Sequence, residues 1–223
     1  MSELKLVAEA ILKKRMSALP TESVLAAVSG IDGCGKGYVT ARLVAELQKL
    51  GVHAVGINID GWLNLPSRRF NAARPAEHFY QHAIRFEEMF EQLIVPLKRQ
   101  RSIRVEMDFA EETAQTYRRH TFAFKVVDVI VLEGIYLLKR ALLHHYDWTM
   151  WVECSFETAL ERALQRGQEG LPPEETIRAY QTTYFPAQEI HFRVDEPRAV
   201  ASAVWVNDPR LGKEGLQGSH RSS

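Results

Sequence analysis

Short runs of apolar, often β-branched residues recur along this chain, and stretches whose apolar positions lie three or four residues apart separate them. Such a run, when turn-forming residues bound it, is typical of a buried strand, and the wider spacing is typical of an amphipathic helix. The segments with strand character are Ser23–Ser29, His53–Ile59, Val126–Leu132, Trp148–Glu153 and Ser202–Val206. The segments with helical periodicity are Val39–Leu50, Ala76–Val95, Phe156–Arg166 and Glu174–Thr183.

This alternation predicts an α/β fold, a three-layer sandwich in which helices cover both faces of a mainly parallel, five-stranded sheet. Residues 1–211 are long enough for a single domain with one ample core, and residues 1–17 are predicted to form an amphipathic helix. The Gly- and Ser-rich segment 212–223 is predicted to be a disordered tail.

Two smaller units interrupt the alternation. The paired segments Ile103–Met107 and Thr121–Lys125 predict a hairpin excursion within residues 100–125, which would cover the ligand edge of the sheet. The helical residues 156–185, which follow the fourth strand, form the second unit.

The first strand leads into Gly-Ile-Asp-Gly-Cys-Gly-Lys-Gly at residues 30–37, and a helical pattern begins near Tyr38. This is the strand, loop and helix of a phosphate-binding P-loop, and the expected fold is therefore that of a P-loop NTPase. The residues predicted to bind the nucleotide are Gly30, Ile31, Asp32, Gly33, Cys34, Gly35, Lys36, Gly37 and Tyr38. The implied cofactors are ATP and Mg²⁺.

Gly37 departs from the P-loop pattern, because a Ser or Thr normally follows the lysine and binds Mg²⁺. Water, Thr40 or another group must replace that hydroxyl, or the metal binds more weakly. The lysine itself, Lys36, is retained and is expected to reach the β- and γ-phosphates as a point charge.

Acidic residues follow two of the predicted strands. Asp60 comes after the second strand and Glu133 after the third, so both are expected at the carboxyl edge of the sheet, where ligands bind. Two carboxylates beside a phosphate cradle suit metal-assisted phosphoryl transfer. The alternative for Asp60 is a turn cap, whereas a carboxylate buried at Glu133 would need a metal or a hydrogen-bond partner.

Overall composition argues against several kinds of partner. The 28 basic and 28 acidic residues give a formal charge of zero, which does not suit a nucleic-acid-binding surface. No apolar run approaches the roughly 20 residues that span a bilayer, and the charged N-terminus does not suit a secretory signal. With two distant cysteines as well, the sequence predicts a cytoplasmic protein that does not associate with membranes.

From about Ser23 to Asn207 the chain resembles the uridine kinase and phosphoribulokinase branch of P-loop kinases. The motifs that carry the resemblance are the loop at 30–37, Ile59-Asp60-Gly61-Trp62, the strand-end pair Glu133-Gly134, and the helix with Arg162 and Arg166 before Gly167.

The resemblance implies a catalytic role for residues along the sheet edge and in the lid. It implies that Asp60 accepts the proton of the substrate hydroxyl and touches the metal, and that Glu133 holds Mg²⁺. It also implies that residues 156–185 are a lid region whose Arg162 and Arg166 close over the phosphates. From the residues alone, the two arginines could instead form a solvated stripe on one helix face that pairs with Glu161 or Glu169.

The acceptor is less closely defined. The resemblance implies that Asp108 binds a sugar hydroxyl, because it stands where the family carries a Tyr-Asp pair, although Met107 replaces the Tyr. The alternative is that Asp108 is a hairpin turn residue. Arg69 follows Asp60 and could bind an anionic substrate or lie in a solvated loop.

The function predicted is ATP-dependent transfer of the γ-phosphoryl group to a hydroxyl of a uridine- or cytidine-like nucleoside or a related metabolite. One alternative is a nucleotide-binding switch with little kinase activity, which Gly37 favours. Another is a nucleoside monophosphate kinase, whose second phosphate site Arg68, Arg69 and Arg74 could supply. The partners expected are small molecules, and self-association into a homo-oligomer is left open.

Overall fold

A computed structural model describes residues 3–217 of the protein. The strands are β1 (Val24–Gly30), β2 (Ala54–Asn58), β3 (Ile103–Phe109), β4 (Arg118–Phe124), β5 (Val129–Gly134), β6 (Trp148–Glu153), β7 (Ala203–Val206) and β8 (Gly215–Leu216). The helices are α1 (Glu3–Ser17), α2 (Lys36–Lys49), α3 (Pro66–Arg69), α4 (Pro75–His82), α5 (Phe86–Met89), α6 (Val95–Gln100), α7 (Phe156–Arg166), α8 (Pro173–Ala179), α9 (Phe185–Asp195) and α10 (Pro197–Val200).

Six strands form the main sheet in the order β2-β5-β1-β6-β7-β8. The first five in that order are parallel to their neighbours, which confirms the predicted α/β fold with a mainly parallel sheet. Every residue of β1 and of β5 is buried, as expected for the central strands of a sheet covered on both faces.

The sheet has one strand more than the sequence predicted. β8 pairs antiparallel with β7, and the backbone N–H of Leu216 donates to the carboxylate of Glu3 at 2.9 Å. The prediction of a disordered tail over 212–223 is therefore wrong at these two positions, and residues 218–223 lie outside the described part of the chain.

The periodicity of Ala76–Val95 does not produce one helix. The chain breaks at residues 83–85, where Ile84 forms a bridge with Leu63 and the N–H of Arg85 donates to the Trp62 carbonyl at 2.9 Å. A five-residue π-helical segment, Phe90–Ile94, then joins α5 to α6. Contacts with the segment after β2 thus replace one helical turn.

The predicted hairpin is present and is longer than the sequence indicated. β3 and β4 pair antiparallel along their whole length, from Ile103 opposite Phe124 to Phe109 opposite Arg118. Trp62 stacks on Phe122 with ring centroids 4.8 Å apart, which fixes the hairpin against the turn after β2. The link between the two strands, residues 110–117, therefore reaches the carboxyl edge of the main sheet.

The helix predicted to end at Thr183 continues much further. α8, a π-helical segment at Tyr180–Tyr184, and α9 follow one another directly from Pro173 to Asp195. Over the described range 3–217, no helix is both long and apolar enough to cross a membrane.

Candidate active site

At two positions, the loop between β1 and α2 has a backbone conformation that only glycine adopts readily. Gly33 has φ +76° and Gly35 has φ +87°, and a Cβ at Gly33 would collide with the carbonyl of Ala159. Both requirements explain why glycine stands there. The loop ends at the N-terminus of α2, whose positive end favours phosphate.

Lys36 opens α2 and its side chain folds back over the loop. Its Nζ donates to the Ile31 carbonyl at 2.8 Å, and the residue is buried while still lining a cavity of about 340 Å³ at the ligand edge. The ammonium group is therefore held where a bound phosphate would meet it.

Asp32 lies in the same loop, but its carboxylate is turned toward the helices at 156–195. It pairs with Arg166 at 3.2 Å and accepts a hydrogen bond from the Tyr180 hydroxyl. Burial would raise the pKa of Asp32, but Arg166 and Lys36 hold it below its ordinary value. The Asp32 side chain thus connects the P-loop to the lid region.

Asp60 and Glu133 line the same cavity as Lys36. Glu133 pairs in register with Asn58, and the Asn58 side chain accepts the N–H of Asp60 at 2.6 Å, so one turn positions both carboxylates. Burial raises the pKa of each carboxyl group, and Lys36 opposes that shift in both. The juxtaposition predicted from the strand ends is therefore present.

The donor set fits Mg²⁺. Glu133 is 7% exposed, and within residues 3–217 its carboxylate has neither an ion pair nor a hydrogen bond, although it faces the cavity. Buried carboxylates in proteins are normally paired or bound to metal. Mg²⁺ takes one or two protein carboxylates and retains waters, so Glu133 and Asp60 would hold it.

Gly37 leaves open space beside this carboxylate. A Cβ at that position would lie 3.6 Å from Glu133 Oε1, so a hydroxyl there would reach the same place. Thr40 is the substitute for this hydroxyl that the sequence suggested. It is buried and does not line the cavity, and its methyl group would lie 3.5 Å from a Cβ added at Gly56. The structure therefore favours Glu133, Asp60 and water as ligands.

Arg162 and Arg166 both line the cavity but make different contacts. Arg162 Nη1 donates to the Cys34 carbonyl at 3.2 Å and the Asn207 carbonyl at 3.0 Å, which braces the P-loop from behind. Arg166 pairs with Glu169 at 2.9 Å in addition to Asp32. The solvated-stripe alternative is therefore wrong for Arg162, whereas Arg166, which is 39% exposed, does form the pair with Glu169 that this alternative named.

Asn207 follows the last predicted strand, and its Nδ2 donates to the Cys34 carbonyl at 2.8 Å, so it supports the loop. Sequence reasoning missed further cavity residues, which come from several separate elements and links. These are Asn58, Leu63, Phe79, Glu112, Ile135, Gln168, Glu169, Tyr184 and Gln188. Tyr184 and Gln188 are four residues apart on one helix face, but they lie beyond the predicted end of that helix.

The two proposed substrate residues, Asp108 and Arg69, do not line the cavity. Asp108 is opposite Arg119 in the hairpin and pairs with it at 3.0 Å, so cross-strand geometry turns its carboxylate away from the sheet edge. Arg69 is 2% exposed and pairs with Glu112 at 2.9 Å. The solvated-loop alternative for Arg69 is therefore wrong, and Glu112 lies between it and the cavity.

Comparison with known proteins agrees with this geometry. The model of the Phosphoribulokinase / Uridine kinase family matches residues 25–170. A uridine kinase of Proteus mirabilis (strain HI4320) is 25% identical over 202 residues, which cover 86% of this chain and 89% of the relative.

Solved structures show the same fold at lower identity. A possible uridine kinase from Bacillus stearothermophilus has a TM-score of 0.71 at 16% identity, covering 91% of this chain and 96% of its own. A D-glycerate 3-kinase from Cryptococcus neoformans var. grubii serotype A has a TM-score of 0.66 at 11% identity, covering 98% and 100%. Since the family model spans well over half of the chain and includes the P-loop and both carboxylates, the chain belongs to the phosphoribulokinase and uridine kinase family of P-loop kinases.

Proposed function

We propose that the protein is an ATP-dependent kinase that phosphorylates a hydroxyl of a nucleoside or a related small metabolite. The observation that carries this proposal is the convergence of Lys36, Asp60 and Glu133 in one cavity beside a glycine-constrained P-loop. These are the groups that phosphoryl transfer needs: a phosphate cradle, a base and a metal-binding carboxylate.

Each group has a distinct part in the reaction. Lys36 binds the β- and γ-phosphates, and Asp60 removes the proton of the acceptor hydroxyl as its oxygen bonds to the γ-phosphorus. The bond between the γ-phosphorus and the bridging oxygen breaks, and ADP leaves. Magnesium, when bound, would neutralise charge on the phosphates.

The basic residues of the lid supply further charge. Arg162 already contacts the P-loop backbone, and Arg166 would exchange Asp32 and Glu169 for the transferring phosphoryl oxygens as the lid closes. This exchange replaces carboxylate partners by phosphate, so the charge on Arg166 stays paired throughout.

The uridine kinase of Proteus mirabilis supports a nucleoside as acceptor, while the fold is shared with a D-glycerate kinase. The test is ADP release with a panel of nucleosides, sugars and small alcohols. Asp60→Asn should lower kcat by about 100-fold or more, because general base catalysis contributes that much, while binding of a non-hydrolysable ATP analogue is retained. Full activity of this variant would exclude the role of Asp60.

Gly37 favours a second candidate, a nucleotide-binding switch with little turnover, because the usual hydroxyl ligand of Mg²⁺ is missing. Gly37→Ser distinguishes the two, with Gly37→Ala as the control that adds the Cβ alone. If the protein is a kinase, the serine should change an existing rate by less than about tenfold. If it is a switch, serine but not alanine should create or sharply raise ATP turnover.

Little in the geometry supports the nucleoside monophosphate kinase alternative. Arg68, Arg69 and Arg74 all lie outside the cavity that contains the P-loop, and the Arg69 guanidinium is already occupied by Glu112. A second phosphate site formed by these residues would require them to leave their present positions.

A further inference from the structure

The wall of the active-site cavity is divided by charge. Among the described residues, the basic side chains that line it are Lys36, Arg162 and Arg166, which belong to the P-loop and the lid. Asp60 and Glu112 approach from the turn after β2 and from the hairpin link, and no basic side chain of the described wall accompanies them. The acceptor must therefore bind beside carboxylates, whereas the basic side chains bind the phosphates of ATP.

Arg69 holds the side chain of Glu112 in place. Its Nη2 donates to both the carbonyl and the carboxylate of Glu112, the latter at 2.9 Å, and its side chain is 3% exposed. Within residues 3–217, its Nε and Nη1 are buried without a partner. One nitrogen of the guanidinium is thus bound to Glu112, and Arg69 is not among the residues that line the cavity, whereas the Glu112 carboxylate keeps acceptor capacity that faces the ligand.

Neutral polar groups complete this part of the wall. Gln188 is 2% exposed and its Oε1 is buried without a partner in the described chain. Tyr184 lies one helical turn before it and packs on Phe79 with ring centroids 4.9 Å apart. An amide, a phenol and a carboxylate beside an aromatic face match a ligand that offers several hydroxyls and one flat or apolar side.

From these observations we infer that the acceptor is neutral and rich in hydroxyl groups, and that Glu112, positioned by Arg69, recognises it. This inference rests on the proposed kinase function and narrows it. Glu112 accepts hydrogen bonds from two acceptor hydroxyls, while Asp60 deprotonates the reacting one. A carboxylate or phosphate on the acceptor would instead face Glu112 and Asp60, with no basic side chain of the described wall beside them, which is strongly unfavourable.

Matched acceptor pairs test this inference directly. Each pair shares a skeleton and a free primary hydroxyl but differs in one anionic group: uridine and orotidine, ribitol and ribonate, glycerol and glycerate. With saturating ATP and Mg²⁺, kcat/KM for ADP release should be about 100-fold higher for the neutral member of any pair that reacts. Equal or better use of the anionic members would overturn the inference and leave the kinase function standing.

Glu112→Gln provides the second test, and Glu111→Gln is its matched control, because Glu111 is the preceding residue and pairs with Arg118 at the surface. Glu112→Gln should raise the KM of the neutral acceptor by about 10- to 100-fold and change kcat little, since a charge-assisted hydrogen bond is lost. The preference for the neutral member should shrink as well. An unchanged KM and an unchanged preference would overturn the inference.

Arg69→Lys tests whether Arg69 positions the Glu112 carboxylate or only supports the fold. A lysine retains the charge but not the fork, so the acceptor KM should rise by less than in Arg69→Met, and the KM for ATP should stay as in the wild type. If no acceptor of either charge releases ADP although an ATP analogue binds, the proposed function itself fails, and that result differs from a reversed preference.

Discussion

At the scale of single residues, the active site depends on carboxylates whose surroundings give them different tasks. Asp32 is paired with Arg166, Glu133 faces the cavity without a partner among residues 3–217, and Glu112 has a buried guanidinium behind it. The same functional group is therefore a structural anchor at Asp32, the proposed metal ligand at Glu133 and the proposed acceptor contact at Glu112. Whether a cationic side chain lies beside a carboxylate determines which of these three roles is proposed for it.

Glu112 should also make acceptor binding depend on pH. Burial raises the pKa of Glu112 to about 7, although Arg69 opposes the shift. The ionised form accepts hydrogen bonds, so the KM of the acceptor should rise as the pH falls through about 7, and the KM of ATP should not follow it. Steady-state kinetics between roughly pH 5.5 and pH 8.5, about one and a half units on either side of that pKa, would measure this.

The Glu112→Gln variant is the control for this profile. Its acceptor KM should be independent of pH over the same range, because glutamine does not titrate. The loss of kcat on acidification should persist in the variant, since burial raises the pKa of Asp60 and a protonated base cannot remove the hydroxyl proton. A pH-dependent acceptor KM in Glu112→Gln would assign the titration to another group.

At the scale of elements, the strands that leave a local pattern in the sequence could be predicted, whereas elements that depend on tertiary contacts could not. Buried strands such as β1 and β5 are visible in the sequence because burial on both faces leaves an apolar run. From the strand ends, the clustering of Asp60 and Glu133 followed correctly, because parallel strands present their carboxyl ends at one edge.

Other elements exist only because of distant partners. The break at residues 83–85 depends on Leu63 and Trp62, and β8 depends on β7 and Glu3. Pro186 suggests the end of a helix, yet the π-helical segment before it lets the chain continue into α9. Tyr184, Gln188 and Glu112 were therefore missed, since their arrival at the cavity follows from these contacts.

At the scale of the whole molecule, the P-loop and the lid are joined before any ligand binds. Asp32 connects the loop to Arg166 of α7 and to Tyr180 of the helix that continues into α9, and Glu169 contacts both of these lid residues at 2.9 Å. This cluster holds the lid close to the nucleotide site. Because the proposed closure over ATP would redirect Arg166, the strength of the cluster should influence how far the lid opens without nucleotide.

Removing the Tyr180 hydroxyl should loosen this connection while retaining the ring, which packs against Tyr184 and Phe185 with centroids 5.0 and 5.2 Å away. Tyr180→Phe should lower the free energy of unfolding by about 1.5–3 kcal/mol, the contribution of a hydrogen bond to a charged group. Amide hydrogen exchange across residues 166–184 should accelerate without nucleotide, and an ATP analogue should reduce the difference. Tyr146→Phe is the matched control, because the Tyr146 hydroxyl is buried without a partner among residues 3–217, so its loss should neither lower the free energy of unfolding nor accelerate exchange. Wild-type stability and exchange in Tyr180→Phe would show that the Asp32 cluster does not restrain the lid.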